Sequence, residues 1–192
     1  MKLSSDTVKR LTLELGGNAP FVVFDDANID QAVGALMASK FRNAGQTCVC
    51  ADRVLVHSSV HDEFVEKLAT CVKAIRVGPG MDVSTTMGPL ITPEAVLAVH
   101  EKVQEALNEG GSCVVGGAPL PSLGANFYAP TILTNISPDS RIWKTETFGP
   151  VAAICRFDTE EEALELANDS DVGLASYFCT RDLERAFRFA RK

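Results

Sequence analysis

What most restricts the folds open to this chain is an alternation that runs along nearly all of it. Short β-branched or aromatic runs take turns with stretches in which apolar residues recur every three or four positions. Leu11 to Glu14 and Phe21 to Phe24 read as short buried strands, separated by a Gly-Gly-Asn-Ala-Pro turn that no helix tolerates. Asn28 is then an N-cap with Gln31 three residues on, and Ile29, Val33, Leu36, Met37 and Phe41 share one helical face. A strand from Arg53 to His57 follows, then a helix from Val60 to Ile75 on Phe64, Leu68, Cys71, Val72 and Ile75, stopped by Gly78-Pro79-Gly80. Thr92-Pro93 opens a third helix, with N-cap then proline in the preferred order, and Val96, Val99, Val103 and Leu107 form its stripe. Gly110 and Gly111 end it before a strand from Ser112 to Val115. Residues 116–140, rich in Gly, Pro, Asn and Ser around an apolar run from Tyr128 to Leu133, read as irregular surface wrapping. The alternation then resumes with a strand Val151–Phe157, a capping box Thr159–Glu162 opening a helix through Ala167, a strand Leu174–Cys179 and a helix from Asp182. Strands separated by helices cannot be hairpins, so the predicted fold is α/β: a three-layer, mainly parallel open sheet with helices on both faces.

At 192 residues, 46% hydrophobic and 22% charged, the chain is long enough for one domain with a real core. A net charge of -7 without a basic stripe argues against nucleic-acid partners. No apolar run approaches a membrane span, and Met1 to Asp6 lack the apolar core of a signal peptide. Six cysteines without the paired spacing of a secreted framework read as reduced thiols, which places the chain inside the cell. Cys71, Cys113, Cys155 and Cys179 fall within the predicted helices and strands and read as packing.

Cys48 differs, because Lys40 to Asp52 connects a helix to a strand, and a connection of this kind lies where a thiol meets substrate. Arg42 stands six residues before it and Cys50 two after. A thiolate needs partners, and Glu14 between Leu13 and Leu15 offers one: burial among apolar neighbours favours a neutral carboxyl, which suits general base catalysis. A structural role as a capping or ion-paired acid is equally open to Glu14 from these residues alone. Arg42 could pair with Asp52. A metal set of Cys48, Cys50, His57 and His61 is the weaker reading, because no second Cys pair completes it.

Leu13-Glu14-Leu15-Gly16-Gly17, then Gly45-Gln46-Thr47-Cys48, then Glu146-Thr147-Phe148-Gly149-Pro150 resemble, in order and spacing, three signatures of the aldehyde dehydrogenase superfamily. Lys40 to Cys50 is most similar to its succinate-semialdehyde branch. The resemblance implies Cys48 as the nucleophile, Glu14 as the base that hydrolyses the thioester, and the Cys48 N–H as an oxyanion donor. It implies Glu146, Phe148 and Gly16 beside the nicotinamide end of NAD or NADP, and Arg42 on the substrate's distal carboxylate. Cys48 and Cys50 would then also form a redox switch.

By the same likeness, residues 1–192 are the thiol-bearing catalytic domain, with the cofactor-binding domain, the second oxyanion donor and an oligomerising C-terminal segment outside this chain. A Gly-x-Gly-x-x-Gly phosphate fingerprint occurs nowhere in it. The implied partners are a small aldehyde and, in the full subunit, further copies as a dimer or tetramer, in the cytoplasm or mitochondrial matrix. A reading from another class is a non-catalytic thiol module that responds to oxidation or docks to a partner.

Overall fold

In a computed structural model that describes residues 1–192, the alternation becomes one six-stranded sheet with helices on both faces. The strands are β1 (Ala19–Val23), β2 (Ala51–His57), β3 (Ser112–Val115), β4 (Thr131–Thr134), β5 (Val151–Phe157) and β6 (Tyr177–Cys179), in the order β3-β4-β5-β2-β1-β6. Only β3 runs antiparallel to its neighbour. The helices are α1 (Ile29–Lys40), α2 (His61–Lys73), α3 (Pro93–Asn108), α4 (Arg141–Lys144), α5 (Glu160–Asn168) and α6 (Leu183–Ala190). The crossover from β1 to β2 moves one way along the sheet and that from β5 to β6 the other. Right-handed crossovers therefore place α1 and α5 on opposite faces. Side chains agree: Phe21 lines a cleft with Ala35 and Ala38 of α1, whereas Val22 lines a cavity with Phe178 and with Phe189 of α6.

The caps are where the residues predict them. Asn28 Oδ1 accepts from Gln31 N–H (3.1 Å), Thr92 Oγ1 from Ala95 N–H (3.2 Å), Thr159 Oγ1 from Glu162 N–H (3.2 Å) and Asp182 Oδ1 from Glu184 N–H (2.8 Å). The core centres on β2, β4 and β5, whose residues Val54, Leu55, Ile132, Leu133, Ala152 and Ile154 are buried on both faces. No helix is long and apolar enough to cross a membrane.

Four expectations need correction. Residues 8–16 form no strand: Leu11, Leu13 and Leu15 are exposed, because no neighbouring strand takes their backbone hydrogen bonds. The stretch around Tyr128 to Leu133 is not surface wrapping, since Thr131–Thr134 is β4 and fully buried. Cys71 is exposed, because the buried stripe of α2 is His61, Phe64, Leu68, Ala69 and Val72, and Cys71 stands about 100° round the helix from Val72. Cys113 is exposed as well, on the edge strand β3. Cys155 and Cys179 are half-buried, and burial pushes the Cys179 thiol up to about 11, so it carries little thiolate at neutral pH.

Candidate active site

The loop from Phe41 to Cys50 is clamped at its base. Lys40 Nζ, at the end of α1, donates to Asp52 Oδ1 in β2 at 2.6 Å, and both side chains are buried. This pair occupies Asp52, so Arg42 has no partner there. Beside it, Ala51 N–H donates to Ser39 Oγ (3.1 Å) and Cys50 Sγ to Ser39 O (3.1 Å). Within the loop the chain tightens through Asn43, Ala44 and Gly45, all at positive φ (52°, 53° and 74°). Gln46 crosses to a second segment, its Nε2 donating to Pro89 O and its Oε1 accepting from Ile91 N–H. A turn closed by Cys50 N–H to Thr47 O then presents Cys48, half-exposed, with a backbone N–H that donates to nothing in the chain. The Tyr177 hydroxyl of β6 donates to Val49 O at 2.8 Å and ties the same turn to the sheet.

The three sequence stretches meet here. A Cβ on Gly17 would stand 2.4 Å from the Cys48 carbonyl oxygen, so only glycine allows this approach. Gly17 N–H donates to Glu146 Oε1 (3.2 Å), and a Cβ on Gly16 would stand 2.5 Å from Glu146 Oε2. Gly45 lies so close to Gly149 that its Cβ would meet that carbonyl oxygen at 2.1 Å. All three stretches end where β1, β2 and β5 begin, so the site stands outside the amino ends of the parallel strands. Open α/β sheets usually bind ligands at the carboxyl ends.

Not every predicted residue is placed as expected. Glu14 lies on exposed, irregular chain with Leu13 and Leu15, so the burial that would tune it is not supplied by these residues. Arg42 is exposed and makes no ion pair, and it lines a cleft with Phe21, Ala35, Ser39, Val49 and Tyr177. Phe148 has φ 50° and is 42% exposed, on a shallow cleft it shares with Asn43, Gln46 and Ile91. A bulky residue in this left-handed conformation carries strain, which accumulates at ligand sites. Cys50 is buried, with its Sγ 2.8 Å from Thr47 Oγ1. His57 and His61 stand at and beyond the carboxyl end of β2, about 20 Å along the strand from the thiols, which rules them out as co-ligands with Cys48 and Cys50.

Two buried cations near the site escaped the sequence reading. Arg53, 1% exposed, donates to Asn18 O (3.0 Å) and to the carbonyls of Leu166 (2.7 Å), Ala167 (2.8 Å) and Asp169 (3.3 Å). It thereby caps the carboxyl end of α5 and ties Asn18, next to Gly17, to that helix. Lys102 of α3, 8% exposed, donates to the carbonyls of Glu146 and Thr145. Burial pulls its amine below the ordinary lysine range, against the opposing fields of Asp52 and Glu146. The hint in the sequence was a cation next to the apolar run Val54-Leu55-Val56 (Arg53) and one beside Val103 on an apolar helical stripe (Lys102).

This corner fits the nicotinamide riboside end of a dinucleotide. Glu146 commits one oxygen to Gly17 and keeps lone pairs for ribose hydroxyls, over a glycine where any Cβ would collide. An exposed aromatic ring stands two residues away.

Residues 1–192 match the sequence model of the Aldehyde dehydrogenase family. Succinate-semialdehyde dehydrogenase [NADP(+)] 1 of Schizosaccharomyces pombe is 49% identical over 187 residues, which cover 97% of this chain and 38% of that protein. The 3-sulfolactaldehyde dehydrogenase of Pseudomonas putida is 47% identical over 184 residues, 96% of this chain and 38% of that protein. The crystal structure of succinate-semialdehyde dehydrogenase from Burkholderia pseudomallei superposes with a TM-score of 0.96 at 50% identity, covering 99% of this chain and 39% of that one. The chain thus spans less than two-fifths of the length of these relatives.

Proposed function

The chain belongs to the aldehyde dehydrogenase family, and from that premise we propose that residues 1–192 are the thiol-bearing catalytic domain of an NAD(P)-dependent enzyme that oxidises an anionic aldehyde, succinate semialdehyde first. The observation that carries this reading is the meeting of three distant stretches, with Gly17 in contact with both the Cys48 carbonyl and the Glu146 carboxylate. The Schizosaccharomyces relative is named for NADP(+), which favours that cofactor. Two of the relatives are named for aldehydes that carry an acidic group away from the reacting carbon, a carboxylate in one and a sulfonate in the other. An unpaired guanidinium six residues from the thiol suits both.

In this mechanism the Cys48 thiolate attacks the aldehyde carbon and forms a thiohemiacetal, whose oxyanion takes the free Cys48 N–H. Arg42 holds the distal anion and so sets the distance of the carbonyl from the thiol. Glu146 would hold the ribose of NAD(P) and Phe148 would stand beside its ring; when bound, that group would supply the hydride acceptor, which leaves Cys48 as a thioester. Glu14 then takes a proton from the water that attacks the thioester, releasing the acid and freeing the thiol. Completion of the site would fall to a cofactor-binding domain and an oligomerising segment outside residues 1–192. A reversible Cys48–Cys50 disulfide would block the nucleophile and is the second role proposed for this turn; forming it takes Cys50 Sγ away from Thr47 Oγ1 and Ser39 O.

The test is a hybrid subunit in which this chain replaces the matching segment of the Schizosaccharomyces relative. Cys48→Ala is expected to abolish reduced-cofactor formation. Glu14→Gln should leave a rapid burst of reduced cofactor followed by slow turnover, since only hydrolysis needs the base. Activity surviving Cys48→Ala overturns the nucleophile, and loss of the burst in Glu14→Gln overturns the role given to Glu14.

A further inference from the structure

α3 grips the segment from Thr145 to Pro150 at two points one turn apart. Val99 Cγ2 lies 2.5 Å from where a Cβ on Gly149 would stand, so only a glycine lets helix and segment meet. One turn on, Lys102 sends its ammonium to the carbonyl oxygens of Glu146 and, at 3.3 Å, Thr145, and no carboxylate lies within ion-pair distance of it. A buried ammonium without an ion partner costs stability that an apolar side chain of the same length would not. What it holds is the backbone of the one acid that contacts Gly17, two residues before the left-handed Phe148.

We propose that Lys102 is a positioning residue for the cofactor site: it fixes the Glu146 backbone so that the carboxylate stays over Gly16 and Gly17 and Phe148 stays in its strained conformation. The nicotinamide riboside then meets a rest that is already formed, and no binding energy goes into ordering it. This inference rests on the reading of Glu146 given above. Lys102 does not touch the cofactor in this scheme and acts only through Glu146.

Two measurements on the hybrid subunit test it. The Gly17 amide reports directly on the Glu146 carboxylate, so Lys102→Met should accelerate its hydrogen exchange about tenfold or more while the Val54 amide in β2 is unchanged. The dissociation constant for NADPH, read from nicotinamide fluorescence, should rise about tenfold with the aldehyde KM within a factor of two. In a Glu146→Ala background the same substitution should add nothing to the NADPH effect, and Lys102→Gln, whose amide still donates, should restore part of the loss. If Glu146→Ala alone leaves NADPH binding unchanged, the reading of Glu146 fails, whereas the Gly17 exchange still decides the role of Lys102. Equal acceleration at Gly17 and Val54, or the same NADPH penalty with and without Glu146, overturns the proposal. Should Lys102→Met not fold, Lys102→Ala, which also removes the donor, carries the same comparisons with the same two outcomes.

Discussion

Arg42 stands two residues beyond the helix that leads to the nucleophile, with a guanidinium that no acid in the chain claims, and this sets its prediction apart from that of an ordinary surface arginine. Arg42→Ala should raise the KM of the hybrid subunit for succinate semialdehyde about ten- to hundredfold, the equivalent of one charged hydrogen-bonded contact. An uncharged aldehyde of similar size should be nearly unaffected, and equal damage to both would make Arg42 structural. Cys50 calls for a different experiment, because its buried sulfur is already engaged with Ser39 O and Thr47 Oγ1. Peroxide inactivation should be reversed by dithiol in the parent and become irreversible in Cys50→Ala, where the Cys48 sulfenic acid has no partner thiol and oxidises further. Full reversibility in Cys50→Ala rules the disulfide out. At this scale type and position singled out Cys48 and Arg42 as candidates, the resemblance added Glu146 and Phe148, and the fold brings Cys48 and Glu146 together at Gly17. The sequence was silent on Arg53 and Lys102, whose meaning comes from backbone carbonyls more than forty positions away. It misjudged Glu14, since two leucines in a row of alternating residues bury an acid only where another surface covers them.

Helices and strands were legible wherever a cap or a stop accompanied the periodicity, as at Asn28, Thr92, Thr159 and Asp182, because the same side chain that marks the boundary also satisfies its orphan N–H groups. β4 was missed because its four residues are flanked by proline and asparagine, and only pairing with β5 on one side and β3 on the other makes it a strand. Tertiary caps have larger consequences. Arg53→Met leaves the final carbonyls of α5 without donors inside the protein and should cost about 3 kcal/mol or more, which for a domain of this size lowers Tm by about 6–12 °C in calorimetry. A shift below a few degrees would mean that water replaces the guanidinium without loss. Asp26 does the corresponding work at the start of α6. Burial alone would raise its carboxyl, but the Thr180 hydroxyl, the N–H groups of Arg181 and Asp182, and Arg185 outweigh that and hold it below the ordinary aspartate range. A depressed carboxyl contributes stability that is present above the unfolded value, about 4, and is lost as pH falls through the lower folded value. Asp26→Asn should therefore lower Tm at pH 7 and converge with the parent only once pH has fallen through the depressed folded value. A gap that stays constant with pH would show that Asp26 acts by shape and not by charge.

For the molecule as a whole, alternation alone was enough for the architecture, since strands that must be joined by helices have few arrangements other than a parallel sheet covered on both sides. The end of the sheet that carries the site was not legible. Motif spacing places Cys48, Gly17 and Glu146 before strands, yet nothing in it says that these strands lie side by side, as β1, β2 and β5 do. That adjacency is also what limits the chain. It gathers the carboxylate and the aromatic ring that the proposed mechanism assigns to the nicotinamide end of the cofactor, and offers no glycine-rich helix N-terminus to a pyrophosphate. Binding a dinucleotide costs several kcal/mol of lost translational and rotational freedom, which two or three contacts at one end do not offset. The 192-residue chain on its own is thus predicted to bind NADP no more tightly than the millimolar range and to form no reduced cofactor from succinate semialdehyde. Its thiol, standing half-exposed on a loop clamped by Lys40 and Asp52, should still be alkylated by an electrophile, with exposed Cys71 and Cys113 labelled alongside it. Titration calorimetry with NADP, paired with a reduced-cofactor absorbance assay, decides the point. Micromolar binding or measurable turnover would show that these residues hold the whole dinucleotide, and that the cofactor site extends beyond Glu146 and Phe148 onto surfaces of this chain that are here given no such role.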